Sequence, residues 1–317
     1  FIGEQVLMPH FGVTGMGVRD LERAEGEWGD QIRIHWIGGT TLDTFVVNFQ
    51  IPPLDAPRGR SALYIGMDRL QHINTLLSGR GMMGTPFFID TWMTPPDEEV
   101  GTWPGFRYVD KHTGEQVLVP YGRDDVVKDP RDIEKAKALL AEAGYTEDNP
   151  LKIEYKAFNL AYHSSVAQLG REMFKAIGVD IEIKLQDVTT NFAATKSGNY
   201  QIFHITRATD ILDSDELLLG NYLPKGVALW DTPDIPEMHE AFAMSSTEPD
   251  EAKRQAVIRE AGEFLRRGEH MNQLGIAWID RYALPVNVKV QNFRVGRTLG
   301  ENYMHESIWL DDPSEFN

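Results

Sequence analysis

Three features of the chain predict an α/β fold. The segments "LKIEYKAF", "VDIEIKLQDV" and "YQIFHIT" alternate apolar with polar residues, as strands do. The segments between them carry apolar residues at helical spacing. Hydrophobic residues make up 42% and charged residues 25% of the 317 residues, ordinary globular usage with material for a sizeable core and enough chain for two domains. A β-α-β-α-β order is the layered α/β pattern.

From Phe1 to about Gln50 the sequence reads as short strands and one charged helix around "RDLERAEGEWG". "TLDTFVVNFQI" is a strand that must stop before Pro52-Pro53, which cannot continue a ladder. "RSALYIGMDRLQHINTLLSG" is a helix with Leu63, Met67, Leu70, Ile73 or Asn74, and Leu77 on one stripe and Gly79 as its stop. Residues 85–128, rich in Pro, Gly, Trp and Tyr, form an irregular excursion, with a hairpin turning at Thr113-Gly114. In "DPRDIEKAKALLAEAGY", Asp132 is the expected N-cap, Ile133, Ala136, Leu139, Leu140 and Ala143 the apolar face, and Gly144 the stop. The strand "LKIEYKAF" leads to "SSVAQLGREMFKAIG", with Val166, Leu169, Met173 and Ile177 on one face. "VDIEIKLQDV", a short helix near residues 189–197 and "YQIFHIT" follow. The helix "PDEAKRQAVIREAGEFLRR" precedes closing strands at "LGIAWI" and "LPVNVKV".

Charge and composition exclude several functions. A net charge of -17 repels phosphate backbones and anionic lipid, so nucleic acid and membrane surfaces are poor partners. No cysteine is present, which removes disulfides, thiolate metal sites and cysteine nucleophiles. No apolar run approaches the ~18 residues of a spanning helix. The chain starts at Phe1 with no signal peptide, and is expected to be a processed product or a fragment.

The strongest motif match, "GRGMMG" at Gly79 to Gly84, fits a dinucleotide fingerprint by letter, but a helix precedes it where a strand is required. It is read as a helix cap plus a flexible loop. There is no HExxH, Walker loop or nucleophile elbow, so no metal and no cofactor is expected. His163 and His204 stand alone in sequence, as satisfied core or pocket-edge groups.

"ITRATDILDSDE" places Asp210, Asp213, Asp215 and Glu216 just after a strand. The spacing is wrong for an EF-type calcium loop. A glycoside hydrolase pairing Asp210 with Asp213 remains the rival reading from another class. A carboxylate at the carboxyl end of an α/β strand can also clamp a ligand, whereas "LDSDELL" reads as a helix start capped by Asp213 or Ser214. Asp215 and Glu216 are therefore assigned to the helix end, Asp210 to function. Trp28, Trp36, Trp278 and Trp309 are read as core; Trp92, Trp103 and Trp230, in loop context, as ligand surface.

Several stretches in order resemble the family 5 extracellular solute-binding proteins, the oligopeptide and dipeptide receptors of bacterial ABC importers. They are "NFQIPPLDAPRGRSALYIGMDRLQHINTLLSGRG", "DIEKAKALLAEAGY", "REMFKAIGVDIEIK", "SGNYQIFHIT" and "TEPDEAKRQAVIREAGEFL". The resemblance covers the later part of a family member. It implies a two-lobed periplasmic-binding-protein fold with large lobes, here lobe II plus the C-terminal pieces of lobe I. Residues 1–50 would be the tail of lobe I, 51–290 lobe II, and 291–317 the return to lobe I. The rest of lobe I would come from a separate chain or be absent.

The resemblance further implies a periplasmic or surface-anchored, non-enzymatic receptor that delivers a small peptide or similar-sized solute to an ABC permease. Asp210 takes the place of the family's ligand-facing Asp, and Arg207 that of its Trp. No Arg occurs in "YKAFNLAYHSS", so an oligosaccharide or opine-like solute is the alternative ligand. The expected ligand-binding residues are Asp210, Arg207, Trp230, Trp92, Trp103, His163 and Asp213.

Overall fold

The computed structural model describes residues 18–86, 91–208, 211, 213–224, 234–266, 272–293 and 307–311. Helix α1 (Val18–Trp28) leads into β1 (Ile32–Val47), which is longer than the apolar run alone suggests. The helix expected over 60–79 is two helices, α2 (Pro57–Gly66) and α3 (Arg69–Leu76). The break falls at Met67-Asp68 because Asp68 leaves the helical path to cap α3, accepting the Gln71 N–H. The Tyr108 hydroxyl donates to the same carboxylate at 3.1 Å.

Strand β2 (Gly81–Met83) occupies "GMM", so the stretch read as a flexible loop is an edge strand. The preceding helix ends at Leu76 with Leu77 as its C-cap; Ser78 (φ +52°) and Gly79 (φ +76°) then turn the chain, the Gly79 N–H donating to the Ile73 carbonyl. A one-turn helix α4 (Asp97–Val100) and the three-stranded sheet of β3 (Tyr108–Asp110), β4 (Gln116–Val117) and β5 (Val126–Lys128) follow. The expected hairpin is β3–β4; β5, only three residues long, carried no period that the sequence could reveal.

Helix α5 (Pro130–Glu142) is capped by Asp129, which accepts the Arg131 N–H, and not by Asp132. Pro130 at the first helical position lends its missing N–H to an end that needs none. Asp132 is instead fully buried, accepting from Gly105 N, from Arg107 and from Lys128. Burial pushes the Lys128 ammonium down to about 8, against the attraction of Asp132.

The regular core comprises β6 (Leu151–Phe158), α6 (Ala161–Lys175), β7 (Val179–Gln186), α7 (Val188–Lys196) and β8 (Ile202–Ala208), as the alternation predicts. Then come α8 (Ser214–Asn221), α9 (Pro236–Thr247) and α10 (Glu251–Arg266). The two closing strands read from the sequence lie mostly in one long strand, β9 (Gln273–Asn287), before β10 (Val290–Gln291) and β11 (Trp309–Leu310).

The main sheet has the order β2-β9-β1-β8-β6-β7. Strand β1 runs antiparallel to both β8 and β9, and β6 parallel to both β7 and β8. This sheet therefore crosses the boundary expected near residue 50, since residues 32–47 sit at its centre. Trp278 is fully buried in the core, whereas Trp309, read as core, is 55% exposed on a short edge strand.

A cationic plug ties the excursion to the sheet. The buried Arg69 guanidinium donates to the carbonyls of Gly275, Tyr64 and Gly105, between the Tyr64 and Phe106 rings.

Candidate functional site

Strand β6 has β7 on one side and β8 on the other: the chain steps one way from β6 through α6 to β7 and back the other way through α7 to β8, which makes the β6–β8 neighbourhood a topological switch point. Ligand crevices in α/β sheets open at such switch points. Two chain segments leave the sheet at the carboxyl ends of these strands: the β6–α6 junction, Phe158 to His163, and the end of β8, Thr206 to Ala208.

Beside this switch point lies a buried polar chain that spans four elements. Asp43 on β1 is fully buried, next to an irregularity in the β1–β9 register between Asp43 and Thr44. Such bulges re-aim side chains. Its Oδ1 is 2.9 Å from His204 Nε2 on β8, and its Oδ2 is 2.9 Å from His72 Nε2 on α3. The Tyr162 hydroxyl, in the first turn of α6, donates to the same Oδ2. Burial alone would raise the Asp43 carboxyl; the charges and hydrogen bonds of His204 and His72 reverse that and hold it well below the usual carboxylate range. His204 is in turn joined to His163, with 2.9 Å between their Nδ1 atoms.

His163, an expected ligand-binding residue, is thus the outer end of this chain, in the first turn of α6. It is half-buried, edge-on to Phe158 at 4.8 Å between centroids. Burial and then the neighbouring His204 push its imidazole down to about 4.

Arg207, also expected here, lies three positions after His204, which by strand alternation sends it to the opposite face. There it approaches α8: a Cβ on Gly220 would lie 2.9 Å from its Nη2. Burial lowers the Arg207 guanidinium, and the Glu216 charge opposes that shift. His163 and Arg207 therefore share a strand end but not a face.

The remaining expected residues divide. Asp213 caps α8 through the Asp215 N–H and is held by Arg254 Nη2 at 2.9 and 3.0 Å. Both of its oxygens are occupied, so it is poorly suited to the acid–base role of the hydrolase reading. Trp92 is half-buried, with the Arg254 guanidinium 5.2 Å from its ring centroid. Trp103 is not a ligand surface: it is 5% exposed, packed edge-on against Phe106 at 5.8 Å, because the excursion folds back on the core. Asp210 and Trp230 lie outside the described residues.

Among the described residues no group of His, Asp and Glu could hold a metal ion. His72 and His204 approach different oxygens of Asp43, so their nitrogens do not converge on one point. A cavity of about 760 Å³ lies at the opposite, amino ends of β6 and β7, lined by Lys137, Arg171, Lys175 and Asp180 among others. It is remote from the switch point.

Asp43 and His72 match no sequence motif of a site, and His204 reads as a lone core or pocket-edge group, because their contacts join residues 29 and 161 positions apart. The available signal was a carboxylate inside the apolar run "TLDTFVV", a position that requires a buried partner.

Comparison with known proteins gives one family match, two relatives and two solved structures. The model of "Bacterial extracellular solute-binding proteins, family 5 Middle" matches residues 17–228. The periplasmic oligopeptide-binding protein OppA of Escherichia coli (strain K12) is 27% identical over 162 residues, covering 50% of this chain and 25% of OppA. The di/tripeptide-binding protein 2 of Pseudomonas aeruginosa (strain UCBPP-PA14) is 25% identical over 224 residues, 68% of this chain and 36% of that protein. Among solved structures, the Escherichia coli murein tripeptide binding protein MppA superposes with a TM-score of 0.71 at 17% identity. The match covers 93% of this chain and 53% of MppA. Haemophilus influenzae OppA in complex with RPPGFSPFR gives 0.69 at 18% identity, over 94% and 53%. The chain thus spans about half the length of these structures, whose architecture it shares.

Proposed function

The chain belongs to the family 5 bacterial extracellular solute-binding proteins, and we propose that it forms part of a receptor capturing a small peptide or similar-sized solute for an ABC permease. The family is one of binding proteins, and in this reading no bond is made or broken. The observation that carries the proposal is the coincidence of the family match with the switch point at the carboxyl ends of β6 and β8, where a solute crevice would open and where the half-buried His163 ends a buried polar chain. The solute would be enclosed by domain closure over that crevice. Residues 51–290, together with β1 at the centre of their sheet, would supply one lobe, and the location would be periplasmic. No helix among the described residues is long and apolar enough to cross a membrane.

Native mass spectrometry of the purified chain, followed by thermal-shift titration with dipeptides, tripeptides and oligosaccharides, tests the reading. A peptide at about 100-fold its Kd stabilises the folded state by about 2.7 kcal/mol, a shift of several degrees for a domain. No retained mass and no shift with any peptide would overturn it.

A further inference from the structure

The contact between His163 and His204 fixes more than ring positions. Two imidazole Nδ1 atoms 2.9 Å apart hold one proton between them, since one nitrogen must donate and the other accept. Which of them donates decides what His163 offers the crevice. If His163 donates, its Nε2 is a bare lone pair; if His204 donates, the neutral His163 carries its proton on Nε2.

The surroundings settle the choice. The groups bonded to Asp43 are His72 from α3, His204 from β8 and Tyr162 from α6, and the buried, uncharged Tyr155 of β6 lies close enough to feel its charge. No lysine or arginine is paired with it among the described residues. An uncompensated buried carboxylate is costly, so one of the two imidazoles carries the balancing charge. His72 is the poor candidate. Its Nδ1 is buried with no hydrogen-bond partner, and an imidazolium there would bury an unsatisfied N–H. His204 has an acceptor at each nitrogen, Asp43 Oδ1 at Nε2 and His163 Nδ1 at Nδ1. The charge belongs on His204, which then donates to His163.

We propose that Asp43 and His204 are positioning residues for the crevice: as a buried ion pair they hold His163 neutral with its proton on Nε2. His163 then presents a fixed N–H donor to an oxygen acceptor of the solute. Its Nε2 has no protein partner among the described residues, which leaves it available, and the ring is only half-buried. The solute part of this statement rests on the proposed binding function; the proton assignment does not.

The test is ¹H–¹⁵N long-range correlation NMR on the full chain with ¹⁵N-labelled histidine and no ligand, the His163 signals being identified by their loss in His163→Gln. The expected spectrum shows His163 as the Nε2–H tautomer at neutral pH and His204 protonated on both nitrogens. In Asp43→Asn the charge on His204 is lost and His163 shifts toward the Nδ1–H tautomer, a change that a merely structural role for Asp43 would not produce. An Nδ1–H His163 or a neutral His204 in the unaltered protein overturns the proposal, even if Asp43→Asn fails to fold. So does a folded Asp43→Asn with the His163 tautomer unchanged. The expected spectrum in a protein that binds no peptide or oligosaccharide would keep the proton assignment and overturn the binding function alone.

Discussion

His204 Nε2 and Asp43 Oδ1 lie 2.9 Å apart, with neither side chain exposed to solvent, and join the two central antiparallel strands on the face that α6 covers. Removing the carboxylate strands the charge that answers it. Asp43→Ala is expected to lower stability by about 3–5 kcal/mol, the range for breaking a buried ion pair from one side. Urea denaturation followed by circular dichroism measures it, and a loss below about 1 kcal/mol would contradict the pairing.

Stability should fall on acidification in two stages. His163 is depressed from 6.5 to about 4 in the folded protein, so the unfolded chain binds the extra proton between those values. The stabilisation is complete above about pH 6.5 and lost as pH falls to about 4, worth roughly 1–2 kcal/mol after discounting for the ring's partial exposure. Asp43, also depressed, contributes above the ordinary carboxylate range, and that contribution is lost only at lower pH. In His163→Gln the first stage should vanish from a plot of melting temperature against pH while the second persists.

Gly84 and Gly275 touch backbone to backbone where the chain leaves β2 and passes β9. A Cβ on Gly84 would lie 2.5 Å from the Gly275 carbonyl carbon, and one on Gly275 2.4 Å from the Gly84 oxygen. Neither backbone can yield without unpairing the strands. Gly84→Ala should cost about 1–3 kcal/mol, the range for overpacking. Gly26→Ala, with nothing within 4 Å of its added methyl, should cost nothing measurable and serves as the control in the same chemical denaturation series.

Arg69 is buried, and its planar fork reaches three carbonyls on three separate segments. A lysine ammonium cannot reproduce that fork. Arg69→Lys should therefore cost about 2–4 kcal/mol, close to the lower end of the range for breaking buried charge networks. Faster hydrogen exchange should appear in residues 101–110 and in β9 together, because the plug joins them.

Trp103→Ala separates packing from ligand contact. With the ring 5% exposed against Phe106, the substitution should destabilise by about 3–5 kcal/mol. Peptide affinity of the fraction that remains folded should be unchanged in calorimetric titration. Weakened binding at full stability would return Trp103 to the ligand surface.

The chain's own pattern determined the α/β class, the β6-α6-β7-α7-β8 succession and the helices around residues 130–142 and 251–266, because side-chain period and caps are local properties. It also carried the ordered stretches that identify the family. The break at Asp68, the cap at Asp129 in place of Asp132, the strand at "GMM" and the burial of Trp103 were decided by partners distant in sequence. So was the polar chain from His72 to His163. Asp43, His72, His163 and His204 look solitary in the sequence, and only the pairing of β1 with β8 and the packing of α3 and α6 over them bring their nitrogens and oxygens within hydrogen-bond reach. A period reports which way a side chain points, whereas a charge buried across 161 residues is compensated only once the sheet has formed.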